Sequence, residues 1–163
     1  MSILILVCGH LGSTLKAGKL LARQLPGEAA IVDTEQNPEV DFAAFDCVVF
    51  GTNVRMLCLN RRFKRYAARW KRAKTGKPAF CYVVAASDGN FQRYEAAARR
   101  ALGPSCAAVV YAGGELDSSH AKGFAKKVIE DVKQQTLAEG RALPQIREAA
   151  LTALARQIHE TVC

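Results

Sequence analysis

Apolar runs and segments of helical periodicity alternate along the whole chain. Five runs lack regular polar alternation, which indicates strands covered on both faces of a parallel sheet. They predict strands over residues 3–8, 28–33, 46–50, 79–85 and 106–111. Right-handed crossovers between such strands leave few topologies. The pattern therefore predicts an α/β fold, a three-layer sandwich whose five-stranded, doubly wound parallel sheet has the order 2-1-3-4-5 and carries helices on both faces.

The periodic segments predict the helices and a single domain over residues 1–163. Helices are expected over residues 14–25, 58–74, 91–102, 118–138 and from 144 onward. We expect Ser13 or Thr14 to cap the first helix and Asp88 to cap the third. The fourth helix is expected to carry its apolar side chains toward the core: Phe124, Val128, Ile129 and Val132.

The first predicted loop joins a strand to a helix through Cys8-Gly9-His10-Leu11-Gly12-Ser13-Thr14. The N-terminus of a helix offers unpaired backbone N–H groups and the positive end of the helix dipole, which together favour an anion such as phosphate. The same pattern also suits a tight turn that binds nothing. The residues alone leave both interpretations of this loop.

Charge is unevenly distributed along the chain. The net charge is +8, and residues 47–87 contain no acidic residue. Basic residues crowd together there: Arg61, Arg62, Lys64, Arg65, Arg69, Lys71, Arg72, Lys74 and Lys77. Such a field attracts an acidic protein, an anionic membrane surface or a polyanion, unless it is only a solvated helix face. Tyr66 and Trp70 share a stripe with Phe63, which favours core packing over base stacking and argues against specific nucleic-acid binding.

The six cysteines suggest a disulfide set by number alone, but Cys47, Cys81 and Cys106 lie in apolar, strand-like runs. A free cysteine in such a run behaves as a small hydrophobic residue. The sequence has no CxxC pair and no Cys/His cluster with zinc spacing, so no metal site is expected. This usage predicts a reducing, cytoplasmic setting. The first apolar run lacks a preceding basic segment and a cleavage pattern, which predicts a strand and not a signal peptide.

Four segments together resemble the flavodoxin family, most nearly the flavodoxin-like protoporphyrinogen oxidases and related flavodoxin-domain proteins. The segments are residues 8–14, 49–53, 84–89 and 111–117. The first is similar to the loop that holds the phosphate of flavin mononucleotide (FMN), and the next two are similar to the second and third flavin loops. The fourth resembles the glycine-glycine-x-leucine-aspartate segment that follows the fifth strand in that subfamily.

The resemblance implies noncovalent FMN and a redox function, either electron transfer or FMN-dependent oxidoreductase activity. It implies that the phosphate rests on Gly9, His10, Leu11, Gly12, Ser13 and Thr14, with the two hydroxyl residues donating. It implies that the isoalloxazine lies between Thr52, Asn53, Val54 and Arg55 on one side and Ala86, Ser87, Asp88 and Gly89 on the other. No catalytic base is evident in the sequence, although His10 is a candidate near the flavin.

The chain also departs from the family pattern. The family usually has a hydroxyl residue in place of Gly9, often a second in place of Leu11, and an aromatic where this chain has Val54-Arg55-Met56. The planar Arg55 guanidinium offers another way to stack on a flavin. The alternative function is a flavodoxin-fold protein that has lost FMN and works as a binding module through its basic helix, residues 58–74. Independently of FMN binding, the basic helix is a candidate docking face: an acidic redox partner or an anionic membrane surface would contact Arg61, Arg62, Lys64, Arg65 and Arg69, and a cytoplasmic protein would then be peripheral to the membrane.

Overall fold

The structure is a computed structural model that describes residues 1–9 and 12–163. Six strands form its sheet: β1 (Ser2–Cys8), β2 (Glu28–Asp33), β3 (Cys47–Arg55), β4 (Cys58–Leu59), β5 (Ala79–Val84) and β6 (Cys106–Tyr111). Five of them are parallel and run in the order β2-β1-β3-β5-β6, which is the predicted order once the added strand is set aside. The added strand is β4, which pairs antiparallel with β3.

Helices cover both faces of the sheet, as predicted. They are α1 (Ser13–Ala22), α2 (Arg61–Ala73), α3 (Phe91–Leu102), α4 (Gly123–Ala138) and α5 (Glu148–Val162). Because successive strand residues point to opposite faces, Ile3, Ile5 and Val7 of β1 pack with α1 and α5, whereas Leu4 and Leu6 pack with α2 and α3. Both sets are buried, which explains why the sequence shows runs without polar alternation.

Two predicted helix caps are wrong. α1 begins at Ser13 after Gly12, whose φ of +86° lies in the left-handed region, and no side chain caps it. Ser13 and Thr14 lie inside the first turn and are buried there. α3 begins at Phe91 after Asn90, again without a side-chain cap, and the Asp88 carboxylate pairs with Arg147 instead.

The predicted inward face of α4 is also wrong. The helix begins at Gly123, not after Ser118 or Ser119, and its Phe124, Val128 and Val132 side chains are 82%, 41% and 43% exposed. Ile129 is half-buried. Four other helices already cover the sheet, so the two cores contain no α4 side chain among the described residues. A periodic apolar stripe shows that a helix is amphipathic, but it does not show what covers the stripe.

The cysteines are all free thiols, and Cys8, Cys47 and Cys81 are buried in the sheet. Within residues 1–9 and 12–163, no group of three acidic, histidine or cysteine side chains could hold a metal ion. Among the described helices, none combines the length and the apolar character needed to cross a bilayer.

Candidate functional site

The carboxyl ends of the parallel strands meet at one edge of the sheet, where α/β proteins of this topology bind ligands. Three of the connections that leave this edge are the turn from β1 to α1, the hairpin of β3 and β4, and the loop from β5 to α3. They contain the predicted cofactor-binding residues. His10 and Leu11 lie outside the described residues, so their predicted roles stay predictions.

In the first turn, Gly9 makes room for Thr14. A Cβ atom on Gly9 would lie 2.2 Å from Thr14 Oγ1 and 2.4 Å from Thr14 Cβ. No side chain fits there unless the turn shifts. The hydroxyl residue expected from the family pattern is therefore excluded by the inward position of Thr14.

The Thr14 hydroxyl is buried without satisfying its hydrogen-bonding capacity. Thr14 is 1% exposed, and its Oγ1 has no hydrogen-bond partner among the described residues. Leaving a buried hydroxyl unpaired costs on the order of 1–3 kcal/mol. Its position in the first turn of α1 is where the helix dipole favours an anion. The connection from β1 to α1 therefore has an unpaired hydroxyl donor, that of Thr14, beside a helix N-terminus.

The backbone of this turn is held from below by Tyr82. Its hydroxyl donates a 2.8 Å hydrogen bond to the Thr14 carbonyl oxygen. Burial raises the pKa of Tyr82 well above its usual range, so the phenol remains a neutral donor. A Cβ atom on Gly51 would lie 2.1 Å from this phenol, so the glycine at that position provides the space for the ring.

Two cationic or titratable side chains reach the first turn from distant parts of the chain. Arg62 Nη1 of α2 donates to the Gly9 carbonyl oxygen at 3.3 Å. His120, which follows β6, lies beside Gly12: a Cβ atom there would be 3.0 Å from its Nδ1. Neither neighbour was predicted: Arg62 was expected on a partner surface, and His120 was assigned no role. No local signal could have found them, because they lie 53 and 108 positions from the glycines they approach.

The predicted second loop is not a loop but the end of β3 and a hairpin. Thr52 is fully buried, and its hydroxyl donates to the Asn53 carbonyl at 3.2 Å and accepts from the Asn60 backbone N–H at 3.3 Å. The Asn60 side chain donates to Asn53 Oδ1 at 2.8 Å and caps α2 by accepting from the Arg62 N–H. Thr52 and Asn53 therefore connect the hairpin to α2, and Val54 and Arg55 pair with Leu59 and Cys58.

The hairpin tip exposes two apolar residues in a strained conformation. Met56 and Leu57 have φ angles of 49° and 60° and are 87% and 50% exposed. Arg55 is also exposed, and the tip offers no aromatic ring. A groove of about 690 Å³ lies between the tip and the start of α2. Its lining is mainly cationic and includes Arg55, Arg61, Arg62, Lys64 and Arg65. Met56, Cys58, Leu59 and Asn60 complete it.

The third loop is exposed over residues 86–90 but is anchored at its base. Asp88 Oδ2 pairs with Arg147 Nη2 at 2.9 Å, and the same guanidinium lies 4.6 Å from the centre of the Tyr111 ring. The Tyr111 hydroxyl donates to the Ala85 carbonyl at 2.7 Å. Ser87 accepts from the Gly89 N–H at 3.2 Å. The last residue of β6 and the residue before α5 thus position the loop that contains Ala86, Ser87, Asp88 and Gly89.

The basic face of α2 combines buried aromatics with exposed cations. Phe63, Tyr66 and Trp70 are at most 3% exposed, which confirms the predicted core stripe. Arg65 donates to Asn37 Oδ1 at 2.9 Å, and Arg69 lies 4.8 Å from the centre of the Tyr66 ring. Arg61 and Lys64 are exposed. The helix therefore presents a cationic outer surface while its other side fills the core.

A sequence model of the flavodoxin domain matches residues 4–142. The chain belongs to the flavodoxin family. Its fold is similar to that of a flavodoxin from Streptococcus pneumoniae TIGR4, at 13% sequence identity and a TM-score of 0.54, covering 85% of this chain and 98% of the other. It is also similar to an oxidoreductase from Corynebacterium diphtheriae, at 12% identity and a TM-score of 0.58, covering 99% and 96%. No curated protein sequence matches the chain.

Family membership indicates a flavodoxin-type function and a flavin cofactor in general terms. The two structural neighbours share the fold at low identity, so they do not assign individual residues. In this flavodoxin-like chain the first turn has the features that an anionic ligand needs. The second and third connections differ from the prediction in structure or in the partners of their side chains.

Proposed function

We propose that the protein binds FMN noncovalently at the carboxyl edge of its sheet and works in redox chemistry, as an electron carrier or as an FMN-dependent oxidoreductase. The observation that carries the proposal is the buried Thr14 hydroxyl, which lacks a partner among the described residues at the N-terminus of α1. A phosphate oxygen is a strong acceptor that would satisfy it. When bound, FMN supplies one-electron and two-electron chemistry at its ring system.

The residues of the first turn suit a phosphate. Thr14 and Ser13 carry hydroxyl donors in the first turn of α1, and the backbone N–H groups of that turn have no partner within the helix. Gly12 adopts the left-handed conformation that opens the turn, and Gly9 leaves the space that Thr14 occupies. Arg62 adds positive charge from α2. We assign the phosphate to Gly9, Gly12, Ser13 and Thr14, with His10 and Leu11 as predicted neighbours.

The remaining connections would flank the isoalloxazine. The hairpin contributes Arg55, whose planar guanidinium is the group that could stack where the family has an aromatic. The third loop contributes residues 86–89, held by the pairing of Asp88 with Arg147. Because the Asp88 carboxylate is paired with Arg147, it is less available to accept a hydrogen bond from a flavin. Positive charge from Arg55 would favour the reduced, anionic form of a flavin and raise its potential.

A second candidate function is a binding module that has lost FMN. The hairpin tip without an aromatic ring and the cation-lined groove beside it favour this candidate. The partner would be an acidic redox protein or an anionic membrane surface in the cytoplasm, contacting Arg61, Arg62, Lys64, Arg65 and Arg69. Such binding would weaken steeply with salt because exposed charges are screened.

The deciding experiment is an absorbance spectrum of the purified protein, taken before and after incubation with excess FMN and desalting. We expect retained flavin bands and a higher melting temperature, since FMN at a hundred times its dissociation constant adds roughly 3 kcal/mol. A protein that stays colourless and gains no thermal stability from FMN would rule out the first proposal. Salt-sensitive binding to an acidic protein or to anionic vesicles would then support the second.

A further inference from the structure

The helix α4 presents an apolar stripe to solvent. Phe124, Val128 and Val132 follow one another at four-residue intervals and are 82%, 41% and 43% exposed. Side chains at this spacing lie on one side of a helix. Exposed apolar residues of this size are otherwise confined to Met1, Met56, Leu57 and Leu137 among the described residues. The stripe is therefore the longest ordered apolar surface that the described chain leaves uncovered.

The helix is held by its own flanking segments. Ser118 Oγ donates to Glu130 Oε1 at 3.3 Å, and the Arg141 N–H donates to the Thr136 carbonyl at 3.1 Å. An isolated bridge between Gly113 and Ile146 joins the two ends of the segment that contains α4. Because this segment begins and ends at the same place on the sheet, α4 can present an exposed face without contributing side chains to the cores.

The charges of Lys127 and Asp131, beside the stripe, are complementary between two copies of the helix. At 3.6 residues per turn, Asp131 lies about 60° and Lys127 about 100° from Val128, both on the same side of the stripe. Leu137 lies about 180° away, on the opposite side of the helix. When two copies of α4 pack antiparallel with their centres near Ile129, Lys127 of each copy lies opposite Asp131 of the other. The pairing is reciprocal, so one arrangement yields two opposite-charge pairs around an apolar seam.

We infer that α4 is a dimerisation helix that packs antiparallel on α4 of a second copy of this chain. This inference is independent of the proposed FMN binding. A two-fold axis brings the same patch of both copies together, which is the commonest form of self-association. The apolar stripe spans about 12 Å of helix from Phe124 to Val132, so the interface lies at the small end of specific contacts and the dimer depends on concentration.

A lipid surface is a poorer occupant for this stripe. Helices that lie in a membrane surface carry mainly Lys and Arg beside their apolar side chains. Here Asp131 flanks the stripe, and Gln135 lies about 20° from Val128, within it. Burying both groups in an acyl boundary would cost desolvation without a partner. The second copy provides a partner for the Asp131 charge and leaves Gln135, beyond Val132, at the end of the seam.

The test measures mass by sedimentation velocity from about 1 µM to about 1 mM, a span that detects weak association. We expect a reversible monomer–dimer equilibrium. Val128→Asp should abolish the dimer, whereas the matched control Leu137→Ser, on the opposite side of the same helix, should leave it unchanged. Circular dichroism should show intact folding for both variants, since α4 lies outside the cores.

Charge reversal tests the antiparallel register. Lys127→Glu and Asp131→Lys should each weaken the dimer about tenfold, because both reciprocal pairs become repulsive. An equimolar mixture of the two variants should associate at least as well as the original chain, and the doubly reversed chain should recover its own dimer. A protein that is monomeric throughout, or that binds anionic vesicles without self-association, would overturn the inference. So would loss of the dimer in Leu137→Ser, or a mixture that fails to associate.

Discussion

At the residue scale, the connection from β1 to α1 is built around Thr14, whose inward position the sequence pattern does not predict. Its side chain occupies the space that Gly9 leaves, its carbonyl accepts from Tyr82, and its hydroxyl is left without a partner among the described residues. The unpaired hydroxyl costs stability, and the inward side chain restricts position 9 to glycine. Their coincidence at a helix N-terminus is what a ligand site produces and a plain turn does not need.

Thr14→Val is expected to separate ligand binding from folding. The substitution keeps the shape and removes the hydroxyl, so the free energy of unfolding without ligand should stay the same or rise by about 1 kcal/mol. The affinity for FMN should fall about tenfold or more, because a hydrogen bond to a charged group is lost. Urea unfolding and fluorescence titration with FMN measure the two effects.

Thr161→Val is the matched control, since that hydroxyl is exposed and bonds to the Gln157 carbonyl of its own helix. It should change neither quantity appreciably. A Thr14→Val protein that binds FMN as tightly as the original would show that the hydroxyl takes no part in the phosphate site.

Tyr82→Phe is expected to loosen the turn from beneath. The change removes one donor and leaves the buried Thr14 carbonyl unpaired by a side chain, which costs about 1–3 kcal/mol in the free energy of unfolding. FMN affinity should fall as well, because the first turn of α1 loses its support. Guanidinium unfolding with and without FMN distinguishes the two. An unchanged unfolding midpoint would show that the 2.8 Å contact contributes nothing to stability.

At the element scale, the parallel strands could be predicted from the sequence because they are buried on both faces. Much of the candidate site could not, because it depends on contacts between distant elements. The run at 3–8 has one environment along its length, so its pattern suffices to identify β1. The hairpin escaped prediction because β4 has only two residues, and the tip uses Met56 and Leu57 where Asn or Gly would signal the turn. α4 was predicted as a helix, but its partner is not encoded in its own periodicity.

The hairpin tip itself is expected to be suboptimal for stability. Its two central residues both have positive φ, the conformation that Asn-Gly adopts most readily in a two-residue hairpin. Replacing Met56 and Leu57 by Asn and Gly should raise the free energy of unfolding by about 1 kcal/mol, because the strain is relieved and little apolar burial is lost. Chemical unfolding of the apo protein measures the change.

A control with Met56→Ser and Leu57→Ser removes the same apolar groups without supplying glycine, and it should not stabilise the hairpin. If FMN affinity falls in both double variants, the apolar tip contributes to the ligand site. If the Asn-Gly variant is less stable than the original chain, the interpretation of strain at the tip is wrong.

At the scale of the whole molecule, the strands that end at the candidate site also form the buried core. The family match covers residues 4–142, and α5 beyond it still packs on α1; Thr152 also donates to Gln24 Oε1, just after α1, at 2.6 Å. The strands that end at the candidate site also bury three thiols between the helical layers: Cys8, Cys47 and Cys81. Burial raises the pKa of Cys8 and of Cys47 to about 12, and that of Cys81 well above its usual range.

These buried thiols predict a loss of stability in mild alkali. Between the unfolded value of 9.0 and the folded value of about 12, the unfolded chain releases protons that the folded chain keeps, so the free energy of unfolding falls as pH rises. Near pH 10 each such thiol should lower the free energy of unfolding by about 1.4 kcal/mol relative to pH 7.5.

Cys8→Ala should therefore show a smaller fall in the free energy of unfolding between these two pH values than the original chain, whatever its stability at pH 7.5. Urea unfolding at both values measures the difference, and Cys58→Ala, at an exposed position of the hairpin, is the control that should retain the full fall. An equal fall in Cys8→Ala and in the original chain would mean that Cys8 ionises no less readily in the folded protein than in the unfolded chain.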